Sequence, residues 1–557
     1  MRILHVAAEV APFAKAGGLA DVAGGLSAAQ AAAGHDVRVV MPDYRAVRPL
    51  QLALHSAGQH HTASVGGGEV NFEFLHLPEY SEYASTYFVT CREFFGTGGI
   101  YGTGEREAQR FLLLSRAALQ LCRDLQWAPD IVHCHDWHTA MVPLLLANDR
   151  HNSQMFRESR TVLTIHNIGY QGVFPTTVLY DAGLGSIHQA LEDSVVDGEI
   201  NFLRAGIESS DALTTVSPTH AREICSAEYG MGLDEALRQR SDKLVGILNG
   251  ADYRHWNPAT DTALPRRYSA SETIGKAACK NALLRELGLD IDEAAPLLGM
   301  VSRLVQQKGS DLVAAALPAL LADQAIGLVI LGDGDALYTD ALRELSDSFG
   351  DRVAFVEAYD EALSHRIVAG SDMLLVPSRY EPCGLTQMYA LRYGTVPVVR
   401  MTGGLADTVQ HFQPDTGEGN GSVFRDADAN GLRWAIDTAL GWYRDPELAR
   451  LTRYSLRPMS DEEIDRFFHG RLMSPESVAY AIDIRESSRL VGLTTFSNLD
   501  PDNGSVLFHI TIGEPDAWGQ GYGTEAAELM LWLAFERIGL HRVALSVFGF
   551  NDRAIRS

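Results

Sequence analysis

"FAKAGGLADVAGG", Phe13 to Gly25, and "VVRMTGGLADTVQ", Val398 to Gln410, carry the same pentapeptide, at Gly17–Asp21 and again at Gly403–Asp407, each behind a run rich in Val, Ile or Leu. A strand that ends in a glycine pair and turns directly into a helix lets backbone N–H groups and the positive end of the helix face an anion. Gly, Ala and Leu are abundant in this chain, so the pentapeptide gains weight only from its surroundings.

Around it, short apolar runs alternate with longer helical patterns, the pattern of parallel sheets in α/β domains. "RILHVA" leads to the loop with Lys15, "IVHCHD" ends at His135 and Asp136, "TVLTIH" at His166 and "LTTVS" at Ser217. After about residue 250 the rhythm restarts: "LLGMVSR" ends at Arg303, "LVILGDGD" at a Gly/Asp cluster, "VAFVEAY" at Tyr359, "LLVPSR" at Arg379 and "VPVVR" at Arg400. In open α/β sheets ligands sit at the carboxyl ends of strands, where these polar residues fall. Two such series predict paired domains, 1–248 and 249–452.

A chain of 557 residues exceeds one compact core. Its net charge of -25 argues against a duplex nucleic-acid binder or a protein of anionic membranes, which need basic faces. There is no signal-peptide pattern and no uninterrupted apolar run of about 18 residues, so a soluble cytoplasmic protein is expected. Six cysteines, Cys91, Cys122, Cys134, Cys225, Cys279 and Cys383, lie far apart without C-x-x-C, which fits reduced thiols and no zinc site. Only five of the 46 basic residues are lysine, and two of these, Lys15 and Lys308, precede a glycine within two residues. A compact ammonium beside bare backbone is suited to phosphate.

"KAGGLADV", "HCHDWHTA", "TIHNIGYQG", "VSPTHAREI", "ILNGADYRHWNP", "VSRLVQQKGSD" and "YEPCGLTQMYALRYGTVPVVRMTGGLADTV", in this order, resemble bacterial glycogen synthase and plant starch synthase from residue 1 to about 450. The resemblance implies a GT-B fold, two Rossmann-like domains facing a cleft. It also implies retaining transfer of glucose from ADP-glucose to the non-reducing end of an α-1,4-glucan such as glycogen, with no cofactor and no catalytic metal. His133, His135 and His138 have metal-like spacing, but "HCHDWH" is that family's ordinary strand-to-helix passage.

Carried over by that resemblance, Arg303 and Lys308 neutralise the diphosphate and the departing ADP, as a metal does elsewhere. Lys15, Gly17 and Gly18 form the donor loop across the cleft, so that one GGLAD serves each side. Gly384, Leu385 and Thr386 of "CGLTQ" open a helix whose amides suit phosphate. Glu381 contacts the transferred glucose, and Asp136 and His166 grip its hydroxyls; without the family His166 reads as a satisfied core histidine. Asn249 contacts the sugar end of the donor, Tyr359 stacks on adenine, Cys383 packs beside the site, and Tyr101 faces the glucan. Retention without an agreed nucleophile implies front-face attack, in which the leaving phosphate accepts the proton of the incoming 4-hydroxyl.

From about Tyr454 the text changes, and residues 453–557 hold ten Arg, no Lys and fifteen Asp plus Glu. "RLVGLTTFSNLD" and "SVLFHITIGEPDAWGQGYGTEAAELMLWLAFERIGLHRVALSVFGFNDRAIRS" resemble a GNAT-type N-acetyltransferase. The resemblance implies acetyl-CoA held at Gly519, Gly521 and Gly523, with Asn551 nearby. Both resemblances stop short of their family's usual ends: a crossover helix is missing from the first and a final helix and strand from the second. The expectation is therefore a glucan synthase with an acetyltransferase-like appendage of weak or no activity. The alternatives are a bifunctional enzyme and an inactive or glucan-binding fusion product.

Overall fold

The computed structural model describes residues 1–50, 52–78, 83–185, 194–414, 416–444, 478–484, 489–500, 504–512, 517 and 520–545. A ten-stranded sheet runs in the order Leu244–Gly246, Ala212–Thr215, Arg160–Ile165, Ile131–His135, Arg2–Val6, Asp36–Pro42, Ser85–Thr90, Gly68–Leu77 and His55–Ser56, with His61–Val65 also paired to Gly68–Leu77. Pairing is parallel from Leu244–Gly246 as far as Ser85–Thr90 and antiparallel beyond. The strand order reverses between Arg2–Val6 and Ile131–His135, which makes that crevice the topological switch point.

The second sheet is parallel throughout, in the order Val353–Glu357, Gly327–Gly332, Leu297–Val301, Met373–Val376, Val396–Arg400 and Ser422–Phe424. Numbered along the chain this is 3-2-1-4-5-6, a doubly wound sheet with its switch point between Leu297–Val301 and Met373–Val376. Its strands are apolar at nearly every position because both faces are covered. Leu298, Met300, Leu328, Ile330 and Leu375 pack in one cluster, while Leu297, Val329, Leu331 and Leu374 pack in another on the opposite face.

The apolar runs read from the sequence all form these strands. The antiparallel extension beside Ser85–Thr90 and a small sheet of Val173–Pro175, Val195–Val196 and Glu199–Asn201 were not foreseen. In "VNFEFLHL" the alternation of apolar and polar residues carried the signal for the former, since that strand has one packed face and one wet face.

Residues 1–412 and 418–445, which hold both sheets, form one compact unit, and residues 413–417 and 446–557 form a second. In the second unit Val478–Ile484, Arg489–Asp500 and Ser505–Ile512 pair antiparallel, and Arg542–Ala544 pairs parallel to Ser505–Ile512. The helix Tyr522–Trp532 covers them through Met530, against Phe496, Val506 and Phe508. No described helix is long and apolar enough to cross a membrane.

Candidate active site

The first domain supplies one wall at its switch point. Beyond the strand Arg2–Val6 the chain reaches Glu9, which is buried, and its carboxylate takes the Ala16 N–H and, at 3.1 Å, the Gly17 N–H on Oε2. Oε1 accepts the Tyr101 hydroxyl at 2.7 Å. Burial raises the Glu9 carboxyl above its ordinary range despite these donors. Lys15 pairs with Asp21 at 2.9 Å, within the first GGLAD. A Cβ on Gly18 would lie 3.8 Å from Leu385 Cδ1, so this loop lies against the second domain.

Glu9 and Asp21 were not singled out in the sequence. Glu9 was legible as the only carboxylate before Asp21, placed just beyond the first strand.

Asp136 follows the strand Ile131–His135 with φ +57, a conformation that non-glycine residues rarely hold. Its Oδ1 accepts the backbone N–H of His166 at 2.6 Å and of Asn167 at 3.3 Å. Burial, with Glu9 adding repulsion, pushes the Asp136 carboxyl up to about 7. His166, beyond the strand Arg160–Ile165, is held by burial at about 3 and is neutral. Its Nε2 lies 2.9 Å from His135 Nδ1. His133 and His135 group with His5, whereas His138 turns away and stacks on Tyr101 at 5.0 Å.

The second domain faces this wall with the loops beyond its two central strands. Arg303 is exposed and donates to the Tyr170 hydroxyl at 3.2 Å across the cleft. Beside it Asn167 Nδ2 donates to Gln307 Oε1 at 3.4 Å, again between domains. Lys308 ends the turn Gln306–Lys308, and its ammonium pairs with Glu381 Oε2 at 2.5 Å, where Ser378 Oγ also donates at 2.8 Å. Gly309 makes this possible: at φ +71 a side chain there is strained, and a Cβ would lie 2.3 Å from the Pro377 carbonyl oxygen.

Gly384, at φ +72, turns the chain into the helix Thr386–Arg392, with Leu385 at its N-cap. Cys383 is buried, which pushes its thiol up to about 12, and the Asn249 N–H points at its sulfur. The thiol packs with Val216 and Met388. Tyr359 stands at the rim, 76% exposed, and Lys15 of the opposite wall feels the negative charge of Glu361 two residues further on.

The second GGLAD departs from expectation. The N–H of Gly403, at the start of the helix Gly403–Thr408, donates to both carboxylate oxygens of Glu223 at 3.0 and 3.1 Å. Asp407 in turn accepts from Thr219 N and Oγ1 at 2.8 and 2.6 Å. The anion this helix meets is thus a carboxylate of the first domain, and the pentapeptide joins the domains. It also backs the site, because Gly404 N donates to the Glu381 carbonyl at 3.0 Å.

In the second unit Gly521, at φ +91, is the N-cap of Tyr522–Trp532, and Gly523 lies in its first turn. Gly519 and Asn551 lie outside the described residues.

The family model described as "Starch synthase catalytic domain" matches residues 2–239, that described as "Glycosyl transferases group 1" matches 288–454, and that described as "Acetyltransferase (GNAT) domain" matches 424–556. Glycogen synthase 2 of Geobacter sulfurreducens is 43% identical over 451 residues, 80% of this chain and 93% of the relative. The glycogen synthase of an Anaeromyxobacter species is 46% identical over 456 residues, with the same shares covered. Among solved structures, the catalytic domain of starch synthase IV from Arabidopsis thaliana bound to ADP and acarbose superposes with a TM-score of 0.76 at 34% identity, over 84% of this chain and 98% of that one. With a GT-B cleft built from two facing switch points and such identity over nearly the whole of each relative, this chain belongs to the glycogen synthase family of glycosyltransferases.

Proposed function

We propose that this chain transfers glucose from ADP-glucose to the non-reducing end of an α-1,4-glucan with retention, in the cytoplasm and without a cofactor. Its glycosyltransferase domains are assigned to residues 1–248 and 249–452. The observation that carries the reading is the pair of hydrogen bonds across the cleft, Arg303 to Tyr170 and Asn167 to Gln307, beside which lie the Lys308–Glu381 pair of one domain and the His166–Asp136 pair of the other. The ADP and acarbose held by the Arabidopsis starch synthase support a nucleoside diphosphate beside a glucan in such a cleft.

Arg303 and Lys308 bring two positive charges to the donor phosphates, and Lys15 adds a third from the opposite wall. Glu381 holds the Lys308 ammonium by its 2.5 Å pair and offers negative charge to the sugar as its anomeric carbon becomes positive. Asp136 and His166 accept from sugar hydroxyls, Tyr359 and Asn249 hold the adenine and sugar ends of the donor, and Tyr101, fixed by Glu9, meets the acceptor. With charge neutralised at the phosphate, the C–O bond to ADP breaks while the acceptor 4-hydroxyl attacks the same face and passes its proton to the leaving phosphate oxygen. Closing the domains excludes water from that step.

The test is transfer of labelled glucose from ADP-glucose to glycogen. Label released by an enzyme specific for α-1,4 linkages, and lost in Arg303→Ala, supports the reading; label in another linkage, or an unaffected variant, refutes it.

A second reading concerns residues 453–557. The acetyltransferase match and the left-handed Gly521 at a helix start favour acetyl-CoA binding there. Titration of the full chain with acetyl-CoA tests it, and Gly521→Val, strained at φ +91, should abolish the signal.

A further inference from the structure

A line of hydrogen-bonded side chains runs from the helix Gly18–Ala32 through the first sheet to the candidate site. His5 pairs in register with His133 across the switch point, and His135 lies two residues further along the same strand. Gln30 Oε1 is 2.7 Å from His5 Nε2, His5 Nδ1 is 3.1 Å from His135 Nε2, and His135 Nδ1 is 2.9 Å from His166 Nε2. His133 stays outside this line, with Nε2 bonded to Thr164 Oγ1 at 2.6 Å.

All three imidazoles in the line are buried, and burial keeps each of them neutral. A neutral imidazole has one donor and one acceptor nitrogen, so fixing the proton at one end of such a line fixes every other. The Gln30 carbonyl accepts from His5 Nε2–H. His5 Nδ1 is then bare and accepts from His135 Nε2–H, and His135 Nδ1 is bare and accepts from His166 Nε2–H. What remains is a lone pair on His166 Nδ1, which makes no hydrogen bond among the described residues.

We propose that Gln30 is a positioning residue for glucosyl transfer: through His5 and His135, its carbonyl fixes the tautomer in which His166 presents an unprotonated Nδ1 to the donor sugar. This rests on the reading that His166 faces that sugar. A nitrogen lone pair accepting from a sugar hydroxyl leaves electron density on the ring as positive charge develops at the anomeric carbon. An N–H in its place withdraws that density, so the difference falls on the transition state and hence on kcat.

The experiment compares Gln30→Glu, which can only accept, with Gln30→Lys, which can only donate, at about pH 8.5 so that the imidazoles stay neutral beside the new charge. Gln30 is half-buried, so either head group can reach water. The proposal expects kcat of Gln30→Glu within about threefold of the parent and kcat of Gln30→Lys lowered at least about tenfold, with KM for ADP-glucose little changed in both. Imidazole 15N shifts, with His166 assigned through His166→Gln, should show the proton on Nε2 in the parent and in Gln30→Glu, and on Nδ1 in Gln30→Lys.

Equal losses of kcat in the two variants, or an unchanged His166 tautomer in Gln30→Lys, overturn the proposal. A switched tautomer with undiminished kcat upholds the relay and refutes the placing of His166 at the sugar.

Discussion

Glu223, in the first domain, accepts both hydrogen bonds offered by the Gly403 N–H of the second, at 3.0 and 3.1 Å, while Asp407 returns the contact to Thr219. Two short helices from different domains therefore cap each other, and Gly403 itself lies so close under the site that a Cβ would stand 1.9 Å from the Glu381 carbonyl oxygen. The contact that couples the domains is continuous with the loop that carries the acid.

Burial would raise the Glu223 carboxyl, but donors from His220, Gly403 and Thr402 outweigh it and hold the group below its usual range. Stability from a depressed carboxyl is present above the unfolded pKa and disappears as pH falls through the folded value. Glu223→Gln should therefore cost about 1–2 kcal/mol at pH 7. In thermal melts compared over a pH series, the difference from the parent should begin to shrink as pH falls below the unfolded value of about 4.3 and close once it passes the lowered folded one.

Lys308 and Glu381 form a largely buried pair, and removing either partner strands the other. Lys308→Ala and Glu381→Ala should each lower kcat by at least about 100-fold. Measured in a double-mutant cycle, the two losses should fall short of additivity by about 2 kcal/mol or more.

Asp136 titrates near 7 in the fold, far above an unfolded aspartate, so its folding contribution is full in acid and is lost as pH rises through about 7. Asp136→Asn should consequently match the parent in stability near pH 4 and exceed it at pH 8 by on the order of 2 kcal/mol. In the parent, kcat/KM should rise as pH climbs through 7 and the carboxylate forms. The Asn variant should keep the fold, lose most of the activity and show no such rise.

Gly309 combines φ +71 with a Cβ position 2.3 Å from a backbone oxygen. Gly309→Ala should destabilise by about 2 kcal/mol or more and, by shifting Lys308, lower kcat beyond what the melting temperature explains. Urea titration set beside single-turnover rates separates the two effects.

Much of the architecture was legible because parallel strands buried on both faces read as uninterrupted apolar runs, and because several runs ended in polar residues, Asp136, His166 and Arg303 among them, that stand at the candidate site. In the fold the motifs pair Lys308 with Glu381 and His166 with Asp136, and Arg303 reaches Tyr170 across the cleft. What sequence could not give was the pairing among them. That Lys308 meets Glu381 and that Glu223 fills the start of the second GGLAD depend on contacts between residues far apart in the chain, and that Glu9 fills the amides of Ala16 and Gly17 depends on how the loop between them folds back. A glycine-led helix start announces that an anion will be met without saying whether a ligand or the protein itself supplies it.

The most direct test of the central claim is ADP release by the purified full chain given ADP-glucose and glycogen, with UDP-glucose and Lys308→Ala run in parallel. Glucan-dependent release that prefers ADP-glucose and collapses in the variant is the predicted result. No release from a folded protein, or release indifferent to Lys308, would contradict the account.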